Sequence, residues 1–392
     1  MSTPTSRIAN VDNYDKVAIY RFVIEMLTWV VPALLMLAGI IAGLHMVVAG
    51  EEAFGTSDLV PWGLLIAGYV LLAVTCSGLC MVSSLGHVLG LKQLDVLGQR
   101  AVLLAITVLV SGFAVLAVEL GHPLRMIYVM ISPNFTSGIW WMGTIYGIYL
   151  VALIIELAAW QLGRYRLGQT MAVVTLALAI AATSNLGSVF ALVNARPFWA
   201  GAYYPIYVLL TAIMSGIATL VILSWFLQRN KKGYQGDRYR SAIVLLTKAL
   251  GIFVVLTGVM TFWKITASLY GGIPATQLAA LTLVTGSLAV PFWLFEVGAG
   301  MVFPLVAIVF SKSRRINYSL AAAVSTLVGV VFMRYDMVIA GQKVSADALS
   351  GERAVSLAGY LPSSGEVLVL VGAIGFIISV YRISERFLKL DH

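Results

Sequence analysis

The sequence predicts an all-α integral membrane protein with about ten transmembrane helices, and its composition and hydrophobic runs support this prediction. Apolar residues make up 60% of the 392 residues and charged residues only 11%, against about 25% charged in typical soluble domains. The chain also contains ten apolar runs, each of about 20 residues or more, which is the length that crosses a bilayer. An ordinary soluble enzyme, a disordered chain and a nucleic-acid-binding domain are therefore excluded.

The ten runs are separated by short polar loops, so no extramembrane domain is expected. In order they cover about 22–49, 60–88, 101–120, 138–161, 168–193, 202–228, 243–268, 288–311, 316–340 and 362–382. The longest loops are about 228–241, 269–287 and 341–361. Residues 1–21 are polar and lack a small-residue cleavage site, so we expect a cytoplasmic N-terminal segment rather than a signal peptide. Residues 22–392 are expected to form one membrane domain.

Lysine and arginine are unevenly divided between the two sides of the membrane. Nineteen of the 25 lie on the side of the N-terminus, which we call side A. The opposite side, side B, carries only Arg125, Arg196, Lys343 and Arg353. Because cytoplasmic loops are enriched in these residues, we expect a plasma (inner) membrane protein with both termini in the cytoplasm. The net charge of +8 then reflects topology and gives no reason to expect nucleic acid as a partner.

A weak internal repeat predicts how the helices are grouped. Spans two and six each follow a proline on side B and each contain a Ser-Gly pair. These features are Pro61 and Pro205, and Ser77-Gly78 and Ser215-Gly216. The repeat predicts two four-helix bundles, about 60–193 and 202–340, with the first and last helices at the periphery.

Ionisable residues are concentrated in the side B half of the spans. That half holds His45, Glu119, Lys264, Arg334, Asp336, Glu366 and, somewhat deeper, Glu296. The side A half holds Glu25, His87 and Glu156. Ionisable groups inside a membrane are costly, so they indicate function; the alternative explanation is snorkelling at helix ends and interhelical pairing. The distribution predicts a polar, proton-exchanging site near side B.

Spacing within the helices sharpens this prediction at two points. If the helix continues up to Pro123, Glu119 and His122 share one of its faces because they are three residues apart. Arg334 and Asp336 point in different directions, so each needs a partner from another span, and Glu366 is the candidate for Arg334.

Glu296 lies between two prolines, Pro291 and Pro304. Each proline leaves the carbonyl four residues earlier without its helical donor, which predicts free carbonyls at Ser287 and Gly300. Free carbonyls beside a buried acid suit a proton or ligand site, and the alternative explanation is a kink for helix packing.

Haem and other metal sites are not expected in this chain. Cys76 and Cys80 are the only cysteines, too few for an iron–sulfur cluster or a zinc site built on cysteine. His45 and His122 lie near side B and His87 near side A, whereas a bis-histidine haem needs two ligands at one depth.

Tryptophans mark both ends of the spans, with Trp62, Trp140, Trp141, Trp199 and Trp263 near side B. Interfacial anchoring explains such belts. The pair Trp140-Trp141 is also suited to forming the wall of a site for a flat ring.

Four stretches together resemble the NrfD/PsrC family of membrane subunits of respiratory oxidoreductases. They are Pro61–Tyr69, Glu119–Arg125 with the loop to Met142, Ser184–Trp199, and Phe292–Glu296. The resemblance covers about 55–390, and ten spans resemble the HybB/DsrP-like branch. The chain departs from the pattern at Thr183, where some relatives have a histidine, and in lacking an acid on span six.

The resemblance implies a quinone-interacting membrane anchor subunit rather than the catalytic centre of an enzyme. Electrons would pass between menaquinone or ubiquinone and an external (periplasmic) iron–sulfur subunit, with a large redox subunit beyond it: a molybdopterin enzyme, a hydrogenase or a cytochrome. Proton translocation would be compatible with this role. The alternative is a secondary transporter or other ion-translocating protein, which fits ten spans and buried ions and needs no partner subunit.

The expected site residues fall into three groups. Glu119, His122, Asn185, Tyr69 and Trp141 would surround the quinone head. Glu296, Asp336 and Glu156 would relay protons. Arg125, Arg334 and Glu366 would form structural ion pairs.

Overall fold

The computed structural model describes residues 4–88, 90–230, 233–311, 315–344 and 359–390, with residues 4–24, 87, 88, 130 and 311 described as backbone only. Some residues of the sequence argument lie outside this description. They are Arg353 on side B, Lys231, Lys232, Lys312 and Arg314 on side A, and the side chains of Arg7, Lys16, Arg21 and His87.

Ten helices in the described part of the chain are long and apolar enough to cross a membrane, which confirms the predicted all-α membrane fold. The first five are α1 (Pro4–Ala49), α2 (Leu64–Val88), α3 (Gly98–Glu119), α4 (Gly138–Gln161) and α5 (Tyr165–Ala191). The others are α6 (Tyr203–Asn230), α7 (Tyr234–Tyr270), α8 (Pro291–Ser311), α9 (Ile316–Gln342) and α10 (Ser364–Phe387).

The helices differ from the sequence expectation in three places. Helix α1 begins at Pro4, so it includes most of the predicted N-terminal segment 1–21. Helix α7 begins at Tyr234 rather than near 243, so it includes a polar stretch that precedes the apolar run. The predicted loop 269–287 contains a further helix, Pro274–Val284, which is too short to span a bilayer.

The spanning helices pack in two groups with a peripheral pair. Helices α2 to α5 pack on one another, as do α6 to α9, and the groups meet mainly where α6 contacts α2 and α5. Helices α1 and α10 lie along each other and join the first group mainly through α10 and α3. The boundary between the groups is therefore an internal surface on which side chains from both can meet.

The closest approach between the groups occurs at the two Ser-Gly pairs of the weak repeat. A Cβ built on Gly78 would overlap the backbone of Ala212, and one built on Gly216 would overlap the backbone of Gly78. Small residues let helix backbones approach closely within a membrane. The repeat therefore marks the contact between α2 and α6.

Helix α8 is a π-helix from Pro291 to Val302 and an α-helix from Phe303 to Ser311. A π-helix pairs each carbonyl with the amide five residues later, so Pro304 deprives Ala299 of its donor. The Ser325 hydroxyl donates to the Ala299 carbonyl at 2.6 Å. The free carbonyl expected at Gly300 assumes α-helical spacing, and it stays a prediction.

Candidate functional site

A cavity of about 350 Å³ lies near the side B ends of α4, α5 and α9. Its lining residues are Pro61, Trp62, Ser137, Gly138, Ile139, Val189, Leu192, Val193, Arg196, Trp199 and Gln342. The volume falls within the ~300–1,000 Å³ typical of small-molecule sites, which combine apolar walls with few polar groups.

An aromatic cluster forms one wall of this cavity. The rings of Trp62 and Trp199 are stacked with centroids 5.3 Å apart, and the Phe190 ring packs edge-on against both. The indole N–H of the fully buried Trp199 donates to the Met337 carbonyl at 2.7 Å. This bond fixes the ring, so the wall is preformed rather than adaptable.

Two polar side chains tie the loops around the cavity to the end of α9. The Gln342 amide accepts from the Trp62 backbone N–H at 2.9 Å and donates to the Trp62 carbonyl at 2.8 Å. Arg196 donates to the Gln342 carbonyl at 2.6 Å and to the Leu59 carbonyl at 3.2 Å. Hydrogen bonds therefore connect the segment before α2, the segment after α5 and the last residue of α9 around the cavity.

The structure places two of the five predicted quinone residues close to this cavity. Asn185 lies one turn deeper than Val189 on the same face of α5, and its side-chain oxygen is buried with no donor among the described residues. Trp141 lies one turn beyond Gly138, but it is 41% exposed and its indole donates to the Phe135 carbonyl. Neither residue lines the cavity itself.

The other three predicted quinone residues lie elsewhere. Glu119 ends α3 near Gly63 and Glu366, and His122 is exposed beyond it. Tyr69 is buried deeper, against Gly112 and near Tyr146. The structure does not gather Glu119, His122 and Tyr69 with Asn185 at one point.

Glu366 has a structural role that differs from the expected pair with Arg334. Its carboxylate accepts from the Tyr360 hydroxyl at 2.9 Å and from the Ser363 N–H at 2.6 Å, which caps α10. Burial and the Glu366 carboxylate raise the pKa of Tyr360 above its ordinary value, which keeps this donor protonated. The expected contact between Arg334 and Glu366 was wrong, and Arg125 is an exposed residue.

Arg334 is fully buried at the boundary between the two groups of helices. Its guanidinium donates to the Thr211 hydroxyl on α6 and lies 5.9 Å from the centroid of the Tyr207 ring. It also lies near Tyr146 of the first group. The surroundings of this buried cation thus include hydroxyl groups from both sides of the boundary and the Glu296 carboxyl group.

Two predicted relay residues, Glu296 and Asp336, come together beside Arg334. The two groups lie close to each other, and neither carboxyl oxygen of Asp336 has a hydrogen-bond partner among the described residues. The Tyr207 hydroxyl donates to Glu296 at 3.3 Å. A small cavity lies against both acids and against Lys264, whose ammonium donates to the Phe198 carbonyl at 2.7 Å.

The third predicted relay residue, Glu156, lies buried in the first group of helices. It accepts from the Thr175 hydroxyl at 2.6 Å and lies near Cys80. Tyr149 is next to both cysteines, and its hydroxyl reaches the Cys76 carbonyl at 3.5 Å. Hydroxyl and thiol groups therefore connect the surroundings of Glu156 to those of Tyr146.

Sequence reasoning missed the residues that frame the two cavities. Trp62 and Trp199 were assigned to the aromatic belt, and Gln342, Tyr207 and Thr211 carried no signal of their own. The motif Arg196-Pro-Phe-Trp199 was the available signal, because Trp199 lines the larger cavity and Phe198 the smaller one. This turn is the wall between them.

Comparison with known proteins agrees with this architecture. A selenate reductase subunit from Mesobacillus selenatarsenatis is 23% identical over 94% of this chain and 95% of that protein. A putative dimethyl sulfoxide reductase membrane subunit from Halobacterium salinarum is 26% identical over 92% and 90%. A polysulfide reductase chain from Wolinella succinogenes is 26% identical over 45% and 55%.

The match to a family model is extensive. The model described as polysulphide reductase, NrfD, matches residues 52–346, which include α2 to α9 and both cavities. The chain therefore belongs to the NrfD polysulphide reductase family, and its ten candidate spans fit the role of a membrane anchor subunit in an oxidoreductase complex.

Proposed function

We propose that this subunit binds quinone or quinol in the cavity at the side B ends of α4, α5 and α9. The observation that carries the proposal is the cavity itself, with its stacked indole wall. Exposed apolar residues, Ile139 at 54% and Leu192 at 67%, lie at its rim. A flat ring suits the wall, an isoprenoid tail suits the rim, and the Asn185 amide lies one turn below to bind a ring oxygen.

The electrons of quinol oxidation would leave through a partner. We propose an iron–sulfur subunit docked on side B and a large redox subunit beyond it, in line with relatives named as parts of selenate and polysulfide reductases. The excess of Lys and Arg on side A supports a cytoplasmic side A, with the quinone near the external face. Menaquinone and ubiquinone are both candidates for the quinone bound in this cavity.

Proton movement would use the buried polar residues that join the two groups of helices. Tyr69, Tyr146, Thr183 and Asp336 carry buried oxygen atoms without a partner among the described residues. Buried polar atoms are normally paired, often with ordered water. Internal water between these groups would link the surroundings of Asn185, by way of Arg334, to the carboxyl pair of Glu296 and Asp336.

Filling the cavity tests the proposed quinone site. Leu192→Trp places an indole at the rim of the cavity, whereas Val173→Trp places one on an exposed position of α5 outside it. We expect Leu192→Trp to weaken binding of a fluorescent quinol analogue to the purified complex by about tenfold or more, equivalent to ~1.4 kcal/mol. Equal affinities for Leu192→Trp, Val173→Trp and the unmodified protein would overturn the assignment of the cavity.

A further inference from the structure

A basic aromatic cluster lies at the side A ends of the peripheral pair α1 and α10. The guanidinium groups of Arg382 and Arg386 lie 4.4 Å and 4.3 Å from the centroid of the Trp29 ring. Among the described residues neither guanidinium has a hydrogen-bonded acceptor. Stacking on an indole uses the flat face of a guanidinium, so its N–H edge remains able to bind an oxyanion.

Trp29 itself supplies a second observation. Its indole nitrogen is buried, and no acceptor among the described residues reaches it. A buried N–H is normally paired. We therefore expect an acceptor that does not belong to the described residues beside the Trp29 ring, against which both arginines pack.

The charge of the cluster fits a singly charged anion. Glu25 and Glu385 lie near Arg382, and Glu385 is held by Arg100 at 2.5 Å. Among the described side chains, these two acids offset two of the three arginines, so one positive charge remains. A phosphodiester group carries one negative charge and accepts the paired N–H groups of arginine.

An exposed apolar stripe begins next to this cluster. It comprises Val30, Leu34, Leu37, Ile41, Leu44 and Val48, all 42% or more exposed. Their spacing of three or four residues places them on one face of α1, which faces away from the rest of the protein. A membrane lipid can place its phosphate at Trp29 and an acyl tail along this stripe. A free phosphate ion has no apolar part that could contact the stripe.

We propose that Trp29, Arg382 and Arg386 form a binding site for the phosphate of an anionic phospholipid in the side A leaflet. The site is independent of the proposed quinone cavity, which lies at the opposite ends of the helices. It would hold the peripheral pair against the bilayer surface by a specific headgroup contact.

Native mass spectrometry of the purified full-length protein tests this proposal with phosphatidylglycerol, phosphatidylcholine and inorganic phosphate as probes. The double variant Arg382→Gln/Arg386→Gln removes both cations, and Arg164→Gln/Arg166→Gln, at exposed residues of the α4–α5 turn, is the matched control. At ~1 kcal/mol for each basic residue, we expect about 30-fold weaker retention of phosphatidylglycerol in the double variant alone. Phosphatidylcholine should not be retained by any of the proteins.

Two further measurements keep the proposal falsifiable if the double variant is unstable. Trp29→Phe keeps an aromatic ring but removes the N–H, and Arg386→Gln changes a single exposed residue; each should lower retention by a smaller factor. Equal retention of phosphatidylglycerol by these variants and the unmodified protein would overturn the proposal. Displacement of the lipid by millimolar inorganic phosphate would also overturn it, because the site would then belong to a free anion.

Discussion

Asn185 and Arg196 illustrate how neighbouring polar side chains near one cavity differ in what they can do. Arg196 donates to two backbone carbonyls at 2.6 Å and 3.2 Å, so it frames the site. The Asn185 oxygen is buried without a donor among the described residues, so a ligand oriented by this amide would gain a hydrogen bond that the protein does not already make. Arg196 is thus already hydrogen-bonded within the protein, whereas the Asn185 oxygen has no donor among the described residues and is available to a ligand.

Replacing Asn185 tests this distinction. Asn185→Leu retains a similar volume and removes the amide, so we expect quinol-analogue binding to weaken by the net value of one hydrogen bond, ~0.5–1.5 kcal/mol or about threefold to tenfold. Thermal stability should stay the same or rise, since an unpaired buried oxygen is removed. Unchanged affinity in a fluorescence titration would show that Asn185 does not contact the quinone.

The carboxyl pair makes a separate prediction at the same scale. Glu296→Gln or Asp336→Asn removes a carboxyl group that we propose to accept protons from quinol, while the larger cavity is left intact. We expect quinol oxidation and proton release in proteoliposomes to fall together, because each quinol that gives two electrons to the partner must also lose two protons. Glu366→Gln is the comparison, because Glu366 caps α10; if it abolished proton release while Glu296→Gln spared it, the relay assignment would be contradicted.

At the scale of helices, α2 and α6 set the distance between the two groups. Gly78 and Gly216 place the two backbones in contact, which brings Tyr146 of α4 near Arg334 of α9. The π-helix in α8 contributes in another way, because it places Glu296 toward Asp336 while Trp293 and Leu294 remain exposed. The polar interior therefore depends on close helix packing as well as on the acids themselves.

Alanine at Gly216 tests the packing between the groups. Alanine favours a helix over glycine by up to ~1 kcal/mol, so Gly216→Ala should stabilise α6 if only helix propensity mattered. We expect destabilisation, with a lower midpoint of thermal unfolding, because the added Cβ would overlap the backbone at Gly78. Gly258→Ala is the matched control, as its Cβ would meet only the Met301 sulfur at an ordinary 3.7 Å.

The sequence predicts the helices far better than the site, for physical reasons visible in particular residues. Ten apolar runs mark ten spans because a bilayer requires them, whereas Pro274–Val284 was assigned to a loop since it is too short to span. Nothing in the sequence distinguishes π-helical from α-helical spacing, so the sequence alone does not decide which carbonyl Pro304 leaves without a donor. Trp62, Gln342 and Trp199 come from separate segments, so their shared cavity depends on tertiary contacts that helical periodicity does not encode.

At the scale of the whole molecule, the cavity and the carboxyl pair lie on opposite sides of the turn Arg196–Trp199. Phe198 lines the smaller cavity and accepts from Lys264, while Trp199 lines the larger one. This arrangement places the cavity that we propose to bind quinone next to the smaller cavity lined by Glu296 and Asp336. On this basis we propose that the subunit binds quinone itself, in addition to serving as a membrane anchor.

The most direct test is mass spectrometry of the lipids and proteins that copurify with this protein from native membranes in mild detergent. For the unmodified protein we predict a bound quinone together with an iron–sulfur subunit and a large redox subunit. For Leu192→Trp we predict the same subunits without the quinone. A protein that is folded, free of quinone and without redox partners would contradict the account, as would full retention of quinone by Leu192→Trp.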